Sequence, residues 1–258
     1  MIPTVWRAPL DNDRNIRRDW QGKGYHRAFT KCYAVSPVEQ DDEKAFFEAE
    51  LALGGYINRP ILRTKITYTV KATGELQISQ DVKVDKDFPF LPRYGMKIVM
   101  PERSERMAYF GMGPMEAYAD KHLAARMGLF KSTVHENFEH YVMPQENSAH
   151  VGTEWASVWS LAGHGLMFAS AATMTFNAQH YSAETLTETA HDYELVPDKK
   201  TYVYIDYKQS GSGSNSCGPA LAEKYRLDEK EFEYSFAIKP VLANDTDFFA
   251  ECIRMTKE

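Results

Sequence analysis

The 258-residue sequence contains few cysteines, no long apolar run and no block of basic residues. Its three cysteines, Cys32, Cys217 and Cys252, form no CxxC pair and stand at no metal-ligand spacing from a histidine. The sequence therefore shows neither a disulfide framework nor a zinc motif, and so sparse and odd a count is typical of a reducing cytoplasm. No apolar run approaches the roughly 20 residues of a membrane span, and no signal-peptide pattern opens the chain. We expect a cytoplasmic protein with no membrane partner.

The charges and the absent motifs exclude further classes. With 30 basic and 36 acidic residues the formal charge is −6, and no Lys or Arg run is long enough to follow a phosphate backbone, so nucleic acid is not an expected partner. The sequence lacks GxSxG, GxGxxG, P-loop and HExxH motifs, which leaves a nucleophile elbow, a nucleotide site and a metal site without support. Among the eight histidines, His150 and His180 could act as acid or base groups, or could be purely structural.

What the sequence does have is a period-two alternation of apolar and polar residues, which is typical of strands with one buried face. Residues 62–70 and 76–84 alternate in this way, with residues 72–74 as the connection of a hairpin. Residues 232–238 alternate too, whereas residues 202–207 are apolar or aromatic on both sides, as in a strand covered on both faces. The pattern predicts an all-β, antiparallel protein.

Helical signals are few. Ser182 is placed to cap a helix that we expect to run to about Ala190, and residues 114–120 could form a helical turn. The Gly- and Ser-rich stretch at residues 210–216 lies between strand-like segments and is predicted to be a loop. With 43% hydrophobic residues and no low-complexity linker, residues 1–258 are expected to form a single domain, a large antiparallel sandwich.

Six acidic residues stand outside the polar faces of strands, among Gly, Pro and aromatic residues. They are Asp11, Asp13, Glu116, Asp120, Glu146 and Asp206. Glycoside hydrolysis needs two carboxyl groups at roughly 5 to 5.5 Å for retention or about 6.5 to 9.5 Å for inversion, and nothing in the sequence pairs these acids. Asp206 lies inside a strand-like segment, where its carboxylate either contacts a ligand or braces a loop through hydrogen bonds.

Five motifs, in order, together resemble one family. They are WRAPLDND at 6–13, GMGPMEAYADK at 111–121, YVMPQENSAHVGTEW at 141–155, FNAQHYSAETLTETAHDYEL at 176–195 and IDYKQSGSGSNSCGP at 205–219. In order and spacing, from Trp6 to about Lys239, the sequence resembles the C-terminal domain of glycoside hydrolase family 2 β-galactosidases, which also forms part of the small chain of two-chain relatives.

The resemblance implies a galactose mutarotase-like supersandwich in a larger enzyme. In that family the WRAPxDND stretch lies far downstream of a catalytic barrel that carries the nucleophile and acid/base glutamates. We therefore expect the chain to be a fragment of a multidomain β-galactosidase that hydrolyses terminal β-D-galactosides such as lactose. It should contain no catalytic residue, bind no cofactor, and be inactive alone, since Mg and Na bind elsewhere in such enzymes. The expected partners are the remaining domains or large subunit and the galactoside, and a homo-oligomer stays open.

The resemblance also implies where this domain meets the active site. A loop matching residues 211–219 reaches the barrel in relatives and, in the best-known one, places a tryptophan there as a platform for the aglycone sugar. Here Cys217 stands at that position, and a thiol offers no broad stacking face. The loop after Asp13 lies near the same site in relatives. We therefore predict that Ser216, Cys217, Arg14 and Asn15 form the rim of the substrate site.

A second group of residues could bind sugar independently of the barrel. Arg93, Glu116, Tyr118 and Asp206 could line a carbohydrate-binding groove in the hollow of the sandwich. This leaves two alternatives to an accessory domain, namely an independent carbohydrate-binding module and an aldose 1-epimerase. The epimerase is suggested by fold analogy alone, and no pair of His and Glu in the sequence is compelling for that reaction.

Overall fold

A computed structural model describes residues 1–257 and contains thirteen strands and three short α-helices over that range. The strands are β1 (Ile2–Thr4), β2 (Phe29–Val35), β3 (Glu39–Gln40), β4 (Lys44–Gly54), β5 (Leu62–Lys71), β6 (Leu76–Val84), β7 (Arg93–Pro101), β8 (Ser104–Gly113), β9 (Arg126–Thr133), β10 (His150–Ser160), β11 (His164–Gln179), β12 (Lys200–Gln209) and β13 (Glu231–Leu242). The helices are α1 (Ile16–Gly22), α2 (Ala183–Glu188) and α3 (Phe248–Thr256).

The strands join into one antiparallel sheet that branches at β11. Its main path runs β1-β7-β12-β11-β13-β6-β5-β4-β2, and β10, β8 and β9 follow one another from the other side of β11. Residues 164–169 of β11 pair with β13, whereas residues 175–179 pair with β12. Since β11 is 16 residues long, it serves two halves of the sheet at once. The prediction of an all-β antiparallel fold is confirmed.

Both halves of the sheet close over one apolar core. The largest buried cluster combines side chains of β7 and β12, such as Met96 and Ile205, with those of β8 and β10, such as Tyr109 and Val158. Strands β5, β6 and β13 contribute to the same cluster. Strands that lie far apart in the sheet order therefore face each other across the core, as the two layers of a sandwich do.

The N-terminal segment packs in a second cluster at one end of the sheet. Trp6, Trp20 and Tyr25 are buried there together with Tyr94 at the beginning of β7. The indole Nε1 of Trp20 donates to the carbonyl oxygen of Phe90 at 2.8 Å. This packing fixes the polypeptide on both sides of the Asp-Asn-Asp turn, because Trp6 precedes the turn and Trp20 follows it.

The strands and the hairpin that were predicted from alternating apolar and polar residues agree with the structure. β5 and β6 pair along their whole length, and Gly74 in the connection has a φ of +81°, a conformation that L side chains rarely adopt. β12 lies between β7 and β11, and residues 203–206 are buried on both faces. The loop predicted at residues 210–216 contains neither helix nor strand.

The helix predictions agree with the structure only in part. The hydroxyl of Ser182 accepts from the backbone N–H of Thr185 at 3.0 Å, as a capping residue does, but α2 ends at Glu188 rather than at Ala190. Residues 114–120 form no helix, so that prediction is wrong. The N–H of Ala117 donates instead to the carbonyl of Ala149 at 2.7 Å, because the segment bridges to the beginning of β10. Neither α1 nor α3 was predicted.

Candidate functional site

Arg7 joins the WRAPLDND motif to the loop that follows β12. Its guanidinium is fully buried, and Nη2 donates to both carboxylate oxygens of Asp13 at 3.0 Å. The same nitrogen donates to the carbonyl of Gly211 at 3.0 Å, and Nη1 donates to the carbonyl of Ser210. One buried cation therefore organises the Asp-Asn-Asp turn and holds a loop about two hundred residues further along the chain.

Two asparagine amides complete the connection, which we call the loop junction (residues 11–15 with residues 211–218). Nδ2 of Asn12 donates to the carbonyl of Ser212 at 2.8 Å and to Oγ of Ser216 at 3.1 Å. In return Nδ2 of Asn215 donates to the carbonyl of Asn12 at 2.7 Å. The two segments thus hold each other through reciprocal hydrogen bonds, and their relative position is fixed.

A third motif also holds the loop junction. The carboxylate of Asp120, in GMGPMEAYADK, accepts from the backbone N–H groups of Ser212 at 2.7 Å, Gly213 at 3.1 Å and Ser214 at 2.7 Å. Burial acts to raise the pKa of Asp120, but these N–H groups outweigh it and lower the pKa below its ordinary value. A Cβ on Gly211 would lie 2.4 Å from a carboxylate oxygen of Asp120, so this close approach requires glycine.

The loop junction encloses a pocket of about 200 Å³, which three of the predicted rim residues line. Arg14, Asn15 and Cys217 surround it, together with Asp11, Asn12, Asn215 and Gly218. Cys217 is exposed and has a φ of +63°. Ser216 contacts Asn12 at the edge of the same junction. The structure therefore brings the predicted rim residues together, although they come from opposite ends of the chain.

On the other side of Asp11 and Asn12 lies a smaller cavity of about 170 Å³, which Glu116, Tyr118 and Glu146 line. The Glu116 carboxylate is fully engaged. One of its oxygens accepts from the Tyr141 hydroxyl and the Lys121 ammonium, and the other accepts from the N–H of Ser148 at 2.8 Å. Two of the four predicted groove residues, Glu116 and Tyr118, therefore meet at one cavity.

Arg93 and Asp206 reach no groove, because their side chains have no exposed surface. Nη2 of Arg93 donates to Oδ2 of Asp206 at 2.6 Å, and Nη1 donates to Oε2 of Glu146 at 3.1 Å. Burial raises the pKa of Asp206 to about 6, although the Arg93 guanidinium opposes this. The contacts of Asp206 are those expected of a bracing carboxylate, since Arg93 joins it to Glu146 in the loop before β10. A Cβ on Gly95 would lie 2.2 Å from Oδ1 of Asp206, so glycine is needed there.

The two histidines considered as acid or base groups are both held by neighbours. The rings of His150 and Tyr109 stack with centroids 4.0 Å apart, and burial lowers the pKa of His150 to about 4. His180 pairs with Glu105 through Nε2 at 2.6 Å. Within residues 1–257, no group of three or more His, Cys, Asp or Glu is arranged to hold a metal ion. None of the helices over that range is long and apolar enough to cross a membrane.

Sequence reasoning missed four residues of this region, namely Arg7, Asn12, Asn215 and Gln209. All four lie inside the quoted motifs, so their position was the available signal. Their roles depend on partners that are remote in sequence, and no local pattern reveals those partners.

The strands form an all-β antiparallel sandwich. The polar loops of residues 11–15 and 211–218 meet at the loop junction. The sequence model of the family described as beta galactosidase small chain matches residues 1–238. The chain is 39% identical over 235 residues to a β-galactosidase of Staphylococcus xylosus and 37% identical over 232 residues to one of Actinobacillus pleuropneumoniae. It therefore belongs to the β-galactosidase small-chain family, which confirms the resemblance seen in the motifs.

The relatives are much longer than this chain. The alignments cover 91% and 90% of the chain but only 23% and 22% of the two relatives. Among solved structures, a galactose 1-epimerase from Lactobacillus acidophilus is similar with a TM-score of 0.41 and 13% identity, over 80% of this chain and 65% of that one. An aldose epimerase homologue from C. elegans has a TM-score of 0.37 and 10% identity, over 81% and 69%. Both structural similarities are weak.

Proposed function

We propose that the chain is the non-catalytic small-chain part of a retaining β-galactosidase acting on terminal β-D-galactosides such as lactose. In this proposal the large chain supplies the catalytic glutamates, and the loop junction forms part of the rim of the active site. The motivating facts are the family match over residues 1–238 and the share of the relatives, about a quarter, that the chain covers.

One observation carries the proposed location of the rim. Two segments that the family resemblance implies there, residues 14–15 and residues 216–217, come together at one junction and open around one pocket. Arg7, Asn12 and Asp120 hold that junction through buried or partly buried hydrogen bonds. Preorganised polar groups of this kind suit a site that must keep its shape when a second chain docks.

The chemistry of the pocket fits a supporting role. Arg14 and Asn15 offer donors for sugar hydroxyls, whereas the Cys217 thiol has no flat apolar face for a sugar ring. We therefore propose that contact with the leaving-group sugar at this position is weak, and that the junction acts mainly by completing the wall of the site.

The test is to assay the chain alone, the large chain of the same enzyme alone, and the two together, on a chromogenic galactoside. We expect activity only in the mixture. Asn12→Leu, which removes both donor contacts of the amide, should lower kcat/KM of the mixture by about tenfold, a loss of roughly 1.4 kcal/mol of transition-state stabilisation. Asn244→Ala, at an exposed asparagine remote in sequence from the junction, is the matched control and should leave it unchanged.

Two outcomes would reject the proposal. Turnover by this chain alone would mean that it has its own catalytic carboxyl pair. Full activity of the large chain alone would mean that the junction contributes nothing to the active site.

A further inference from the structure

Residues 14–27, which follow the Asp-Asn-Asp turn, are strongly basic although the chain as a whole is acidic. They contain four of the thirteen arginines of the chain and one lysine, and their only acid is Asp19, so their formal charge is +4 whereas that of the chain is −6. We propose that these residues, the basic segment, dock on a carboxylate-bearing surface of the large chain. Because the large chain is the partner, the proposal rests on the proposed function.

The fold holds the basic segment firmly and leaves most of its cations in solvent. In α1, Ile16 and Trp20 lie one turn apart and pack in the second apolar cluster, so Arg18 lies on the opposite side of the helix. Beyond the helix, the Tyr25 hydroxyl donates to the carbonyl of Pro89 at 2.7 Å. The exposed cations are Arg14, Arg18, Lys23 and Arg27.

These four cations have no carboxylate partner in the part of the chain that the structure describes. The carboxylates of Asp85 and Asp87, in the loop before β7, pair with Arg59 instead. Lys23 lies over the ring of Phe88, with Nζ 5.5 Å from the ring centroid. The positive charge of the segment is therefore uncompensated, and a partner surface that carries carboxylates would complement it.

An exposed apolar tip lies beside the end of the basic segment. Tyr56 and Ile57, in the loop between β4 and β5, are 92% and 93% exposed. Nδ2 of the neighbouring Asn58 donates to the carbonyl of Lys23 at 3.3 Å, which holds this loop against the segment. Aromatic residues and arginine are the residue types enriched at protein–protein interfaces, whereas lysine is depleted there. The composition of this surface thus favours a protein partner.

The position of the basic segment indicates which protein that is. Arg14 is the first residue of the segment and also lines the pocket of the loop junction, so the segment continues directly from the proposed rim. In the proposed function the catalytic glutamates of the large chain face that rim, and a retaining glycosidase holds two carboxyl groups within about 5.5 Å of each other. The cations beside the rim are therefore opposite in sign to the groups of the large chain that they would approach.

The proposal is tested by the affinity of this chain for the large chain of the same enzyme, measured by biolayer interferometry at low and high salt. Between about 50 and about 500 mM NaCl the affinity should fall by about tenfold or more, because salt screens exposed charges. The double variant Arg18→Glu, Arg27→Glu should bind at least about tenfold more weakly at low salt and lose most of the salt dependence. Tyr56→Ser should weaken binding at both salt concentrations, since apolar contact is not screened.

A matched control makes the same charge change elsewhere on the surface. Arg106 and Arg126 are exposed arginines of β8 and β9, in the branch of the sheet that follows β10. Arg106→Glu, Arg126→Glu should leave the affinity unchanged. An equal loss in this control would overturn the proposal, since the large chain would then respond to the net charge of the chain rather than to the basic segment.

The activity of the same mixtures separates this proposal from the proposed function. An active mixture whose affinity is unchanged by salt and by Arg18→Glu, Arg27→Glu would overturn the docking surface alone, whereas the absence of any complex would overturn both proposals. Sedimentation velocity of the chain by itself tests the other occupant. A dimer that the double variant abolishes would mean that the basic segment binds a second copy, and the proposal would be wrong.

Discussion

Asp120 shows how much of a loop can depend on one side chain. In Asp120→Asn, one carboxylate oxygen becomes an amino group that faces backbone N–H groups, so part of the support of residues 212–214 is lost. We expect the free energy of unfolding to fall by about 1.5 to 3 kcal/mol at pH 7, the usual range for a hydrogen bond to a charged group. Amide hydrogen exchange at residues 212–214 should accelerate.

The contribution of Asp120 to the free energy of unfolding depends on pH. The folded-state pKa of Asp120 is lowered, so its stabilising contribution is complete at neutral pH and is lost only as the pH falls through that lowered value. Asp245→Asn, at an exposed carboxylate, is the control and should change neither quantity. Unchanged exchange in Asp120→Asn would mean that the loop holds its shape without the carboxylate.

The buried His150 should make the stability of the fold depend on pH. Its folded-state pKa of about 4 lies below the ordinary 6.5, because burial disfavours the charged ring. Between those values the unfolded chain binds a proton that the folded chain does not, so His150 should lower stability as the pH falls from about 6.5 to about 4, by roughly 3 kcal/mol in total. Other groups of the chain also change the free energy of unfolding in this pH range, so the effect of His150 has to be measured against a variant that lacks it.

A comparison with His150→Phe isolates this effect, since phenylalanine keeps a ring beside Tyr109 and cannot titrate. The variant should be less stable than the parent at pH 7, because Met112 and Asn137 lose contacts at 3.0 and 2.9 Å. The difference should shrink as the pH falls, as measured by urea unfolding at several pH values. A difference that is constant with pH would contradict the low pKa.

At the scale of elements, the alternating strands were predictable because their signal is local. Ile66 and Ile78 are fully buried, as their parity in the sequence indicated. The signal weakens toward the hairpin, where Val70 is 47% exposed although it shares the parity of Ile66. The branching of β11 could not be predicted, because it depends on which strands pair with each half of one long strand. The wrong helix prediction at residues 114–120 has a similar cause, since Ala117 hydrogen-bonds to the backbone of Ala149, which is remote in sequence.

Helix α3 was missed although it has a readable signal. Asp247 caps it by accepting from the N–H groups of Phe249 and Ala250, and Phe248, Cys252 and Met255 recur at helical spacing. These apolar side chains belong to the cluster around Trp155 and Met167, and Phe248 stacks on Trp155 with centroids 5.2 Å apart. The helix is therefore held by packing against β10 and β11.

This packing predicts a clear contrast between two positions of α3. Met255 is 2% exposed, so Met255→Ala should lower the free energy of unfolding by roughly 2 to 4 kcal/mol through lost burial and a residual cavity. Ile253 is 53% exposed, and Ile253→Ala should change it by less than about 0.5 kcal/mol. Urea unfolding measures both. Equal effects of the two changes would mean that α3 does not dock as described.

At the scale of the whole molecule, the sequence indicated which segments to expect at the rim but not what joins them. The family resemblance implied Arg14, Asn15, Ser216 and Cys217, and the structure brings these residues together. The buried Arg7 joins these segments together with Asn12 and Asn215, and its contacts reach a loop about two hundred residues further along the chain. Such contacts leave no periodic trace in a sequence, since each partner is an ordinary residue in its own local context.

The ion pairs of Arg93 join β7, β12 and the loop before β10, so breaking them should destabilise the whole molecule. Arg93→Met leaves the Asp206 and Glu146 carboxylates buried without their cation, and should lower the free energy of unfolding by about 3 to 5 kcal/mol at pH 7. Lowering the pH should narrow this loss, since burial raises the pKa of Asp206 and its protonation then removes one uncompensated charge in the folded state.

The triple variant Arg93→Met, Glu146→Gln, Asp206→Asn removes all three charges together, and it should be more stable than Arg93→Met alone. Lys208→Met breaks a pair whose side chains are 51% and 42% exposed, and should cost less than about 1 kcal/mol. Urea unfolding of the four proteins at pH 7 and pH 5 makes the comparison. A triple variant less stable than Arg93→Met would show that the carboxylates contribute through their geometry rather than their charge, and the electrostatic account of this network would then be wrong.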